Sequence, residues 1–137
     1  MDEAWFSKIE PNVYTVFKKR MRKKFPGLNI TTDQAEVNER KFPVVHLQEL
    51  DQIETGNDLT NITVNAVIAT FQVRVYSKSA AECKDVMTEA VLQMKKLAFN
   101  ITAMPIYTSE MDKTLYFSVS RFRRVIGSGD SDIVPQQ

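Results

Sequence analysis

The sequence predicts an α+β subunit: a mainly antiparallel β-sheet with two α-helices packed on it, in a single domain. Three observations carry that expectation. Apolar residues recur at helical spacing in two stretches, one early and one in mid-chain. Runs of β-branched or alternating residues lie between and after them, joined by short polar turns. The chain has 137 residues and a mass of 15.7 kDa, one domain's length, with no internal repeat.

The first helix is expected over about Asp2–Phe25. Ile9, Val13, Phe17 and Met21 fall on one helical face. Pro11 suits a first turn, where its missing N–H costs nothing. Phe25-Pro26-Gly27 ends the helix. Lys18, Lys19, Arg20, Arg22, Lys23 and Lys24 crowd its last turns, where cations complement the helix dipole. Residues 28–34 read as a short strand and 35–41 as a polar loop. A second strand follows over Phe42–Leu50, with Pro43 at its start or on a sheet edge.

Residues 51–60 are acidic and turn-rich. Asn61–Tyr76 gives the strongest β signal: Val67, Ala69, Phe71, Val73 and Val75 alternate with Thr70, Gln72, Arg74 and Tyr76. Ala66 and Ile68 make its first half apolar on both sides. Such a strand would span ~50 Å, whereas a chain of this length has a radius of gyration of ~14 Å. It must bend, fold into a hairpin or project toward another subunit.

Ser79 and Glu82 match a capping box and open the second helix. Cys83, Val86, Met87, Ala90, Val91, Met94, Leu97 and Ala98 form its apolar stripe; Lys84, Asp85, Glu89, Gln93, Lys95 and Lys96 cover the other face. Strands over Phe99–Tyr107 and Lys113–Ile126 complete the sheet. In the last, Leu115, Phe117 and Val119 alternate with Tyr116, Ser118 and Ser120. The alternation slips at Phe122, which suggests a bulge or a strand end. The domain is expected over 1–127, and residues 128–137, rich in Gly, Ser and Asp, read as a flexible tail.

Composition excludes several function classes. There are 18 basic and 17 acidic residues, so net charge near +1 gives no global pull toward nucleic acid. One cysteine allows no internal disulfide, and one histidine excludes multi-ligand Cys/His zinc sites within the chain. No run of about 18 apolar residues suits a membrane span. The start of the chain is acidic and short of apolar residues, unlike a signal peptide. No phosphate-binding, dinucleotide, zinc-protease or serine-hydrolase motif is present. The sequence gives no sign of an enzyme.

Charge is uneven locally. Residues 1–26 hold seven cations and three anions; residues 33–58 hold seven anions and two cations. The basic run Lys18–Lys24 is a solvated helix end or a nucleic-acid patch, though no aromatic residues interleave with it. Opposite charge on two segments would also suit head-to-tail pairing in a ring. Glu36, Glu39, Glu49, Asp51, Glu54 and Asp58 match no catalytic or cation-binding spacing. His46 reads as a structural histidine and Cys83 as a small core residue.

In order and spacing, several segments resemble a tailed-phage family. These are Phe42-Pro43-Val44-Val45-His46-Leu47, the acidic turn, the run Phe71–Ser77, the helix close Lys95-Lys96-Leu97-Ala98-Phe99, and Arg121-Phe122. The family is the tail terminator, or tail completion and tail-to-head joining, proteins, and residues 42–127 carry the match.

The resemblance implies a structural virion protein. Its subunits would form a homo-hexameric ring that caps the tail tube protein, ends tube polymerisation and joins the head-tail connector protein. Genomic DNA would pass through the lumen without sequence-specific binding. It implies a place in the virion tail or neck, assembled in the host cytoplasm, with no catalytic residue, cofactor or metal and no membrane. Residues expected at subunit or tube contacts are Glu54, Asp58, Ile62, Val64, Ala66 and Ile68. A head-tail adaptor, and a small nucleic-acid-binding domain using Lys18–Lys24, are the other readings.

Overall fold

Alternation along Ala66–Ser77 organises the molecule. Val67, Ala69, Phe71, Val73 and Val75 are buried in one cluster with apolar residues of both helices. The intervening residues point the other way. The structure is a computed structural model that describes residues 4–32, 43–56, 63–109 and 115–134. A 3-10 turn (Trp5–Lys8) leads into α1 (Ile9–Lys24). Then come β1 (Asn29–Thr31), β2 (Val44–Thr55), β3 (Ala66–Ser77), α2 (Ala80–Lys96), β4 (Asn100–Ser109) and β5 (Tyr116–Gly127).

The five strands form one sheet in the order β1-β2-β3-β5-β4. β1 pairs with β2 in parallel; every other pairing is antiparallel. The protein is therefore α+β with a mainly antiparallel sheet, as its sequence predicts. Among the described residues both helices lie on one face of that sheet.

Each helix is fixed by its stripe. In α1, Ile9, Val13, Phe17 and Met21 are all buried, and Gly27, at φ 82°, turns the chain toward β1. In α2, Ser79 Oγ accepts the Glu82 N–H at 3.3 Å. The capping box is completed indirectly: Glu82 Oε1 accepts from Ser77 Oγ at 2.6 Å, and that oxygen accepts the Ser79 N–H at 3.1 Å.

The helix closes in a Schellman motif, with Phe99 N–H on the Met94 carbonyl and Ala98 N–H on that of Lys95. Ala98 is exposed at φ 66°, past the end of α2 rather than in its stripe. Glu89 and Gln93, expected on the solvated face, are buried. The end of α1 packs over them, and Lys24 Nζ reaches Glu89 Oε1 at 3.4 Å.

Three further expectations are corrected. The strand predicted from Asn61 begins at Ala66, pairs with β2 as a hairpin, and at 12 residues spans ~40 Å. Its beginning is covered within the subunit: Trp5 is buried, and its indole N–H donates to the Val64 carbonyl at 3.0 Å. The slip at Phe122 is no bulge, because β3 and β5 stay in register from Ala66↔Gly127 to Ser77↔Tyr116. The irregularities lie in β4, between Ile101 and Ile106, and in β2, between Glu49 and Asp51.

The segment expected as a flexible tail packs on the domain as far as Val134. Ile133 and Val134 are buried, and Asn12 Nδ2 donates to the Ile133 carbonyl at 2.8 Å. The Arg124 guanidinium donates to Asp132 Oδ2 at 2.8 Å, to Asp132 Oδ1 at 3.1 Å and to the Leu97 carbonyl at 2.6 Å. Asp130 Oδ2 accepts the Gly127 N–H at 2.7 Å.

Candidate interaction surface

Residues paired across a sheet point to the same face. The register therefore assigns both surfaces. The helix side receives Val45, Leu47, Glu49, Gln52 and Glu54 of β2, and Tyr116, Ser118, Ser120, Phe122, Arg124 and Ile126 of β5. The opposite side, the open face, has no helix on it among the described residues. It receives Val44, His46, Gln48, Asp51, Ile53 and Thr55 of β2, and Ala66, Ile68, Thr70, Gln72, Arg74 and Tyr76 of β3. From β5 it receives Phe117, Val119, Arg121, Arg123 and Val125.

The open face is organised in rows across the strands. Ile53, Ile68 and Val125 form one apolar row; Ile53 is 49% exposed and Val125 58%. Toward the other end, the Tyr76 and Phe117 rings stack at 6.1 Å between centroids. Ile106, 66% exposed, stands beside Val119. Between these lie Arg74, Arg121 and Arg123. Arg121 Nε donates to Oε1 of the buried Gln72 at 3.0 Å. Arg74 is half-buried; its Nε is buried, and its side chain has no hydrogen-bond or ion-pair partner among the described residues. His46 is buried beside it, its Nε2 3.3 Å from the Thr32 carbonyl oxygen.

The predicted contact residues separate. Ala66 and Ile68 lie half-buried on the open face. Val64 packs on the subunit's own core, and Glu54 is exposed on the helix side of β2. Asp58 and Ile62 lie outside the described residues. The sequence did not single out Ile53, Ile106, Val119 or Val125 as surface residues. Apolar residues in a strand look like core until the register says which face the helices cover.

The basic run also divides. Lys18 Nζ sits 5.3 Å from the centre of the Tyr14 ring, and Arg22 Nε donates to the Leu28 carbonyl at 3.1 Å. Lys19 points to solvent. Arg20, Lys23 and Lys24 join Lys96 of α2 around a depression of about 540 Å³ floored by Glu89 and Gln93. Glu89 takes the Gln93 amide and the Lys24 ammonium, leaving Arg20, Lys23 and Lys96 without ion pairs among the described residues.

Glu49 stands apart from the other acids. It is half-buried on the helix side at the β2 bulge, accepting from Gln52 Nε2 at 2.9 Å. Burial pushes its carboxyl up to about 7, and the neighbouring Glu10 and Asp51 charges add to the rise. Cys83 is a core residue, as expected: its thiol is buried against the Val75 carbonyl at 3.8 Å, and burial raises it to about 11.

Among the described residues no group of three or more His, Cys, Asp and Glu is arranged to hold a metal ion. No helix there is long and apolar enough to cross a membrane. No family model matches the chain, and no curated protein matches it significantly.

Proposed function

We propose that this chain is a ring-forming structural subunit that caps a phage tail tube, stops its polymerisation and joins the tail to the head connector. The observation that carries the reading is the open face. It presents two apolar ends, Ile53–Ile68–Val125 and Tyr76–Phe117–Ile106, on a sheet whose other side already holds both helices. A surface of that kind fits a protein partner, since exposed apolar rows of this extent promote association. The sequence resemblance adds the identity of the assembly: a homo-hexameric ring with tail tube and connector as neighbours and DNA in the lumen. The role requires no catalytic residue, cofactor or metal.

The test is the mass of the protein in solution together with electron microscopy of the particles. A hexameric ring that binds the end of a tail tube is expected. A monomer at every concentration, with no binding to tube ends, would sink the reading. A ring that binds only connector would place the chain one layer higher, as a head-tail adaptor.

A nucleic-acid-binding role is favoured by one observation, the unpaired Arg20, Lys23 and Lys96 around one depression. It is tested by duplex binding across a salt series. A steep fall in affinity with salt, lost in Lys23→Glu, would support it.

A further inference from the structure

We infer that the open face receives the acidic end of β2 from a second copy of this chain, with Arg74 at the centre of the contact. The inference rests on the ring reading and adds the chemistry of the joint. Arg74 is the reason. Its Nε is buried with no hydrogen-bond partner among the described residues, a desolvation cost that a carboxylate brought against the guanidinium would offset. Arg121 and Arg123 flank it on the same face; Asp51 is the only acid that the register of the described residues places there. The missing complement is therefore a carboxylate group, brought by something apolar enough to cover the rows at either end.

This chain carries such an element. Asp51 and Glu54 lie on the far half of β2, both exposed and neither in an ion pair among the described residues. Asp58 follows shortly in the sequence. Within one subunit Glu54 cannot meet Arg74. Glu54 is eight residues along the strand from His46, the partner of Arg74, which is about 25 Å, and it points to the opposite side of the sheet. Arg74 and Glu54 thus belong to different surfaces of one subunit. A contact between different surfaces is heterologous and closes into a ring when repeated with the right rotation. Guanidinium–carboxylate pairing would also fix the orientation of that contact.

Charge reversal tests this on the full chain. Arg74→Glu and Glu54→Arg are made separately, checked for folding by circular dichroism, and weighed by light scattering alone and mixed. Each variant alone should associate at least tenfold more weakly than the parent, because it sets like charges at every joint. An equimolar mixture should recover the parent assembly, since alternating subunits restore opposite charges at both kinds of joint. Should Arg74→Glu fail to fold, Arg74→Gln replaces it as the single variant, beside the exposed Glu54→Arg. If the parent forms rings and neither substitution at 74 or 54 weakens them, this inference falls while the ring reading stands. Reversals that weaken association but are not rescued by mixing of folded variants also overturn it. A parent that stays monomeric overturns both.

Discussion

The two faces of the sheet are built from the same strands and obey different rules. On the helix side, β3 contributes Val67, Ala69, Phe71, Val73 and Val75, all buried, and Phe71 meets Phe99 edge-on at 5.3 Å. On the open side the same strand contributes Ala66, Ile68, Thr70, Arg74 and Tyr76, half-buried, and Gln72, buried. The helix side is finished within the subunit. The open side leaves Ile53, Ile106 and Val125 exposed, and the Arg74 Nε has no hydrogen-bond partner among the described residues. Burial in a strand thus follows from what lies across the sheet, not from the residue's own character.

β5 makes the point most sharply. Its small polar residues, Ser118 and Ser120, face the helices and are fully buried, Ser120 Oγ against Met87 Sδ at 3.3 Å. In the same first half of the strand the larger Phe117 and Val119 face outward, whereas further along Phe122 and Ile126 return to the helix side and are buried. The usual pattern is therefore inverted over Phe117–Ser120, where the buried side is taken by serines and Ser120 lies against Met87 of α2.

The strongest challenge to this contrast is a pair of truncations on β3. Phe71→Ala should lower unfolding free energy by ~3–5 kcal/mol, through lost burial and a cavity. Ile68→Ala on the opposite side should lower that of the isolated subunit by less than ~1 kcal/mol. Denaturant melts read both, and equal losses would mean the open face is covered within the subunit.

Glu49, the buried acid of the helix side, gives a pH test. Its carboxyl rises from its ordinary 4.5 to about 7, so the folded state holds a proton that the unfolded state has released. That preference favours folding fully below the ordinary value and is lost as pH rises through about 7. Glu49→Gln should therefore gain ~1 kcal/mol over the parent at pH 8, a figure discounted for partial exposure, and nothing near pH 4. Paired melts at the two pH values decide it. An equal effect at both would trace the change to shape rather than charge.

Smaller effects sharpen the comparison. Ser118 Oγ is buried on the helix side without a hydrogen-bond partner, so Ser118→Ala should be neutral or stabilising by up to ~1 kcal/mol. A loss beyond that would mean the hydroxyl is satisfied in solution. Ile53→Thr with Val125→Thr should change the subunit's melting by less than ~0.5 kcal/mol. The same pair should weaken association in light scattering, and unchanged association would remove the apolar row from the contact.

What the sequence made legible was the part governed by local periodicity. The stripe of α1, the Ser79 cap, most of the α2 stripe and the alternation of β3 all stand where their spacing puts them. What it hid was set by neighbours distant along the chain. Glu89 and Gln93 look solvated until α1 is laid over them. Phe117 and Val119 look like core until the helices take the other side. The segment after Gly127 looks like a tail because Gly, Ser and Asp dominate it; Asp130 and Asp132 instead gather at Arg124. Of the open face the sequence marked only Ala66 and Ile68, because a strand apolar on both sides is a local sign of two faces seeking cover.

The clasp formed by Arg124, Asp132 and Ile133 bears on how the chain is synthesised. Asn12 in α1 waits for the Ile133 carbonyl, and the apolar cluster that contains Trp5 also contains Val134. An emerging chain can form α1 and the β2–β3 hairpin early, but β3 remains a sheet edge until β5 is made. During that interval its unpaired backbone can pair with strands of neighbouring nascent chains. Many copies translated side by side would therefore meet first through β3, and the late arrival of β5 sets how long that hazard lasts.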